Sequence, residues 1–65
     1  MNIVVIDMIN LLFKLLIEAS NNNNKRDERI YFYKFQGMIE ALYYADILSD
    51  EEYEFLIDAS WEVYF

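Results

Sequence analysis

The run Ile3–Ile17, IVVIDMINLLFKLLI, restricts the possible fold more than any other stretch of the chain. A helix through it carries its polar side chains at Asp7, Asn10, Lys14 and, one residue beyond the run, Glu18. These positions recur every three or four residues, so they form one narrow polar stripe on an otherwise apolar cylinder. Such a helix must be surrounded by the rest of the chain, by a second copy or by a partner.

The length and composition of the chain narrow the choice of fold class. With 65 residues the chain forms a single domain, residues 1–65, and domains of this size lie near the limit of independent folding. There is no Cys, so disulfides cannot stabilise it, and hydrophobic residues make up 57% of the chain, which favours a dense core or oligomerisation. The sequence has no Pro and one Gly, whereas turn-rich β architectures need both, so an all-α protein is predicted.

Hydrophobic periodicity and break signals predict three helices, at about residues 3–19, 27–45 and 50–64. We expect a three-helix antiparallel bundle or a helical hairpin, with the long apolar first helix as its central element. The first two helices carry more apolar surface than two neighbours can cover, so we expect a homo-oligomer, most simply a dimer, to complete the core.

Capping residues support these helix boundaries. Asn2 is a suitable N-cap for the first helix, and either Asn24 or Asp27 for the second. Ser49 and Glu52 form the S-x-x-E pattern of a capping box at the start of the third helix, which is the most specific local signal in the chain. The Asn-rich segment before the second helix has two interpretations, a solvated connector and a recognition loop, and its composition favours the connector.

Residues 3–7 leave a strand interpretation open, because Ile-Val-Val-Ile is a short β-branched run typical of a buried strand. The string MNIVVID also resembles the first strand of PIN-type nucleases, which ends in a metal-binding Asp. That resemblance implies a parallel α/β sheet with further acidic residues. A single strand cannot satisfy its own backbone groups, so we continue the first helix through this run.

The second predicted helix is apolar over a wide face. Gly37 and Ala41 lie four residues apart and form a small-xxx-small pair, which allows another helix to approach closely. We interpret this pair as a helix crossing point in the core. The same face holds Ile30, Tyr33 and Tyr44, and the adjoining positions are Tyr31, Phe35, Met38 and Leu42.

The third predicted helix separates acidic from apolar residues. Residues 49–65 carry six acids and no base, which is −6 of the total net charge of −7. The predicted buried positions are Tyr53, Leu56, Ile57, Ser60, Trp61 and Tyr64. The opposite face carries the candidate partner-binding residues Glu51, Glu54, Asp58 and Glu62, with Tyr43 and Phe65 as candidate aromatic neighbours. A face of this kind either docks on a basic surface or is only solvated.

Residues 37–58, GMIEALYYADILSDEEYEFLID, resemble a pattern in small acidic helical accessory proteins of Gram-positive bacterial phages and plasmids. The matching residues are Gly37, Ala41, Leu42, Tyr43, Ile47, Ser49, Glu52 and Tyr53. The resemblance implies a mobile-element protein, a class that includes anti-CRISPR and other inhibitors of host defence. The alternatives are a structural homo-oligomerisation module without an inhibitory role and a small membrane-associated helical protein.

The remaining expectations concern chemistry and location. His is absent, as are Gly-rich phosphate loops and calcium-loop motifs, so we expect no enzyme activity, no cofactor and no metal site. The negative net charge argues against direct nucleic acid binding and favours a host protein with a basic surface. The N-terminal residues are not typical of a signal peptide, and the first apolar run is short for a membrane span and contains charges, so we expect a cytoplasmic protein.

Overall fold

The computed structural model describes residues 2–64, which form three helices and no strand: α1 (Ile3–Asn21), α2 (Lys25–Tyr44) and α3 (Asp50–Tyr64). The predicted all-α class is confirmed, and residues 3–7 belong to α1. The observed boundaries differ from the predicted ones by two residues at most. Within the described range, no helix is long and apolar enough to cross a membrane.

Side-chain caps begin all three helices. Asn2 accepts a bond of 2.8 Å from the backbone N–H two residues further on. Asn24 accepts the Asp27 N–H at 3.2 Å, and its amide donates to the Asp27 carboxylate at 2.9 Å. The capping box at α3 is complete, because the Glu52 N–H donates to Ser49 Oγ at 3.1 Å and the Ser49 N–H donates to Glu52 Oε1 at 2.9 Å. These caps satisfy N–H groups that the helices themselves leave unpaired.

The same motif ends α1 and α2. Asn23 and Asp46 adopt left-handed conformations, with φ of 55° and 60°. In each case the following N–H donates to the C=O five residues earlier, at 3.0 and 2.9 Å, which is the bond of a Schellman motif. Asn22, Asn23 and Asn24 serve in turn as C-cap of α1, left-handed residue and N-cap of α2, so each has a backbone role.

Aromatic pairs show that α2 and α3 run antiparallel. Phe32, near the start of α2, stacks on Tyr64 at the end of α3 with ring centroids 4.3 Å apart. Tyr43, at the end of α2, stacks on Tyr53 near the start of α3 at 4.4 Å. Short connections between the helices produce this arrangement.

The central helix is α2, so the prediction that α1 is central is wrong. α2 packs extensively on both other helices, whereas α1 and α3 touch much less. Phe32, Phe35 and Ile39 of α2 are almost completely buried. The reason is the position of α2 in the chain, since two short connections make it the neighbour of both other helices.

The chain hides only part of its apolar surface. Within the described residues, seven hydrophobic side chains are buried and eleven large ones stay exposed. Those exposed on α1 are Ile3, Val4, Ile6, Met8 and Leu11. The molecule measures 34 × 21 × 14 Å, so it is flat, and α1 is therefore covered on one side rather than surrounded.

Candidate partner-binding surface

Four carboxylates line the solvent side of α3, and we call Glu51, Glu54, Asp58 and Glu62 the acidic face. All four are exposed and recur at helical spacing, while Ser60 on the opposite side of α3 is fully buried. The Ser60 hydroxyl donates to a backbone carbonyl one turn earlier at 2.7 Å, so this core hydroxyl is satisfied. The structure therefore brings the four predicted acids together on one surface.

The carboxylates of the acidic face form no ion pair within residues 2–64. The ion pair recorded there joins Lys25 and Glu28 on α2, with an N–O distance of 3.9 Å. No three acidic side chains in the described range converge closely enough to hold a metal ion. The charges are thus spread along the helix, in a row that suits an extended basic surface better than a point ligand.

Two aromatic residues border the acidic face. Phe55 is 72% exposed and lies one helical turn from Glu51 and from Asp58. Trp61 is 42% exposed, so its predicted place among the buried residues is wrong. Its ring meets Phe32 edge-on at a centroid distance of 4.9 Å, because it lies at the margin of the core, where a large ring covers a neighbour and still reaches solvent.

A groove of about 490 Å³ lies between α1 and α3, beside the acidic face. Its apolar lining residues are Ile6, Ile9, Phe55 and Leu56, and its polar ones are Asn10, Glu51 and Glu52. Glu51, which belongs to the acidic face, and Phe55, which adjoins it, both line the groove. A side chain that enters the groove therefore meets apolar surface with carboxylates at its edge.

Of the two predicted aromatic neighbours of the acidic face, Tyr43 lies within the described residues. The Tyr43 hydroxyl donates to Asp50 Oδ1 at 2.6 Å, and this bond to a carboxylate raises the pKa of Tyr43 above its ordinary value. With the stacking on Tyr53, the bond ties the end of α2 to the first turn of α3. Phe65 lies outside the described residues.

The first turn of α3 is anchored by a carboxylate outside the acidic face. The backbone N–H of Ser49 donates to the carboxylate of Glu52, and this bond holds the pKa of Glu52 below its ordinary value. Glu52 therefore fixes the start of the helix that carries the acidic face.

Sequence reasoning missed Phe55 and the groove. The spacing of Phe55 from Glu51 and Asp58 was sufficient to place it beside the acidic face. The groove depends on how α1 packs against α3, and periodicity within one helix carries no information on that packing.

Comparison of the chain with protein-family models, with curated proteins and with solved structures found no match.

Proposed function

We propose that this protein is a small non-enzymatic protein-binding module that docks the acidic face of α3 on a basic surface of a host protein. The observation that carries the proposal is a row of four exposed carboxylates without a basic partner in residues 2–64. An isolated helix gains stability from Glu–Lys pairs at four-residue spacing, and α3 has none. Asp58 lies in the middle of α3 and Glu62 in its last turn, so neither is stabilised by the helix dipole as the acids of the first turn are. A basic partner accounts for acids in these positions.

The groove defines the partner surface more closely. Phe55 and the apolar groove lining adjoin the acidic face, so a matching surface carries Lys or Arg side chains next to a protruding apolar one. The charges provide orientation and faster association, and the apolar contact slows dissociation.

The proposed host surface is one that normally holds nucleic acid, and binding there would inhibit it. Residues four apart on a helix are about 6 Å apart along its axis, whereas a DNA strand carries a phosphate about every 3.4 Å. The acidic face therefore offers a regular row of negative charge at roughly half that density. An inhibitor of this kind is in keeping with the resemblance of residues 37–58 to mobile-element accessory proteins.

Affinity capture from a host lysate with matched charge variants tests the proposal. The test variant is Asp58→Lys/Glu62→Lys, and the control is Asp7→Lys/Glu18→Lys, which makes the same change in net charge on the exposed polar stripe of α1. We expect the wild type and the control to capture the same nucleic-acid-binding protein, with retention falling as salt rises. The test variant should lose that protein while its circular dichroism spectrum stays helical, because Lys in these positions favours α3.

The outcomes are distinct. Equal capture by the test variant and the wild type, with the same salt dependence, would mean that the acidic face is only solvated. If every variant recovered only further copies of the protein itself, the structural homo-oligomerisation alternative would replace the proposal.

A second variant tests the apolar part of the surface. Phe55→Ala leaves the net charge unchanged and removes a side chain that is mostly in solvent, so the fold should be retained. We expect it to weaken partner binding by about 1–2 kcal/mol, mainly through faster dissociation. Val4→Ala, which removes an exposed apolar side chain outside the groove lining, is the control.

A further inference from the structure

The solvent side of α2 is apolar, and the ring contacts of its tyrosines are with the next residue of the same helix, Tyr33 with Phe32 and Tyr44 with Tyr43. We call Ile30, Tyr33, Gly37, Ala41 and Tyr44 the outward face of α2; all five are exposed, and Tyr33 and Tyr44 reach 62% and 80%. They lie on the side of the helix opposite Phe32, Phe35 and Ile39, which form its buried side. The Gly37–Ala41 pair on this face was predicted to be a helix crossing point in the core, and that prediction is wrong. Both sides of α2 are apolar, and its aromatic core residues occupy the other side.

Gly37 at the centre of this face is not required by the fold of one chain. A Cβ atom added there has no heavy atom within 4 Å, and its backbone is ordinary helix. Gly in such a position costs about 1 kcal/mol relative to Ala. Close approach by another molecule is the physical reason for a Gly that its own chain does not need.

We propose that the outward face of α2 binds the same face of a second copy, with the two helices antiparallel. A two-fold axis at the level of Phe35 brings together residues equally far before and after it. Tyr33 of one copy then lies over Gly37 of the other, and Ile30 lies within one residue of the level of Ala41, about 1.5 Å along the helix axis. Each large side chain fills the space above a small one, and the symmetry repeats both pairs.

The charges beside the outward face favour the same antiparallel arrangement. Arg29 and Glu40 are both exposed and are eleven residues, or about three turns, apart, so they flank the face on the same side. The two-fold axis at Phe35 brings Arg29 of each copy within one residue of the level of Glu40 of the other, about 1.5 Å along the helix axis, which these long side chains span. It also brings Arg26 to the ring of Tyr44, within reach of a cation–π contact. In a parallel pair the two-fold axis runs along the helices, so the Arg29 and Glu40 side chains of the two copies lie on opposite sides of the interface and do not pair.

A second copy is the occupant that this face fits, because in an antiparallel pair its large side chains lie near small ones and its basic side chains lie near acidic ones. The acidic face belongs to α3 and stays free in such a pair. The inference therefore goes beyond the proposed function and does not depend on it.

Sedimentation equilibrium over a range of concentrations tests the dimer. The wild type should reach twice 7.9 kDa as its concentration rises. Gly37→Glu places a charge at the centre of the pair, where one chain alone has open space, and should weaken the dimer by on the order of tenfold or more. Leu11→Glu, which adds the same charge at an exposed position on α1 outside the groove lining, should leave the dimer unchanged. A wild type that stays at 7.9 kDa at every concentration, or a dimer that Gly37→Glu does not weaken, would overturn the inference.

A charge exchange tests the antiparallel register. Arg29→Glu and Glu40→Arg should each weaken the dimer, because each places like charges together twice. The double variant restores opposite charges at both contacts and should recover wild-type association. Failure of the double variant to recover, with a helical spectrum retained in all three proteins, would exclude this register.

Discussion

The outward face of α2 and the acidic face of α3 belong to neighbouring helices, and both point away from the shared core. The first is apolar, with Gly37 at its centre, and the second is a row of carboxylates beside Phe55. Apolar surface stabilises a complex in proportion to the area that is removed from water. Exposed charges instead attract a partner at a distance, and salt screens that attraction. A chain of 65 residues thus presents two chemically different surfaces, for which we propose different occupants, a second copy on α2 and a basic partner on α3.

The largest expected effect is the difference in stability loss between variants on the buried side of α2 and variants on its outward face. Phe35→Ala removes a completely buried ring and should cost about 3–5 kcal/mol. A chain of 65 residues has about 3–10 kcal/mol of stability in total, so this variant should lose a large part of it. Tyr33→Ala, on the outward face, should change the stability of the monomer by less than about 0.5 kcal/mol. Urea denaturation followed by circular dichroism at low concentration measures both, and similar losses would show that Tyr33 belongs to the core.

The next effect concerns the start of α3. Ser49→Ala removes the hydroxyl that accepts the Glu52 N–H and should cost about 1 kcal/mol. Amide hydrogen exchange should accelerate in the first turn of α3, where the acidic face begins, and stay unchanged along α2. Uniform acceleration in both helices would mean that the two faces lose their structure together.

A third prediction concerns the change in stability when Gly and Ala are exchanged within α2. In the monomer, Gly37→Ala should stabilise the protein by about 1 kcal/mol and Ala41→Gly should destabilise it by a similar amount. At concentrations at which the dimer forms, the added methyl of Gly37→Ala stands under Tyr33 of the other copy, so the gain should shrink. Thermal unfolding at low and high concentration measures the difference, and a gain that does not depend on concentration would count against close approach at Gly37.

The smallest effect is a pH dependence at the α3 capping box. Because the pKa of Glu52 is lowered in the folded protein, its carboxylate contributes stability that is fully present above its ordinary value of 4.5. That contribution disappears as the pH falls through the lowered pKa. Glu52→Gln keeps an oxygen acceptor and removes the titration, so its stability should fall less steeply than that of the wild type below about pH 4.5. If the stability of the two proteins changed with pH in the same way, the carboxylate of Glu52 would not be the source of the pH dependence.

The features that sequence reasoning predicted correctly are local. The capping box of Ser49 and Glu52, the Asn2 cap and the segregation of acids on α3 depend on residues within one or two turns, and patterns of that range can be read directly.

What sequence reasoning missed depends on packing between helices. Both sides of α2 are apolar, so periodicity did not decide whether Phe35 or Gly37 faces the core. The same ambiguity led to the wrong prediction that α1 is the central helix. A helix with a wide apolar circumference can also lie at the side of a flat bundle, where only part of its surface is covered. The groove beside Phe55 likewise arises from the packing of two helices.

The most direct test of the account measures mass and partner capture in parallel for two variants, Gly37→Glu and Asp58→Lys/Glu62→Lys. We expect each variant to lose one property and keep the other. Gly37→Glu should become monomeric and still capture the host protein, whereas the α3 variant should stay dimeric and lose it. If either variant changed both mass and capture while remaining helical, the two faces would form one surface, and the assignment of separate occupants to α2 and α3 would be contradicted.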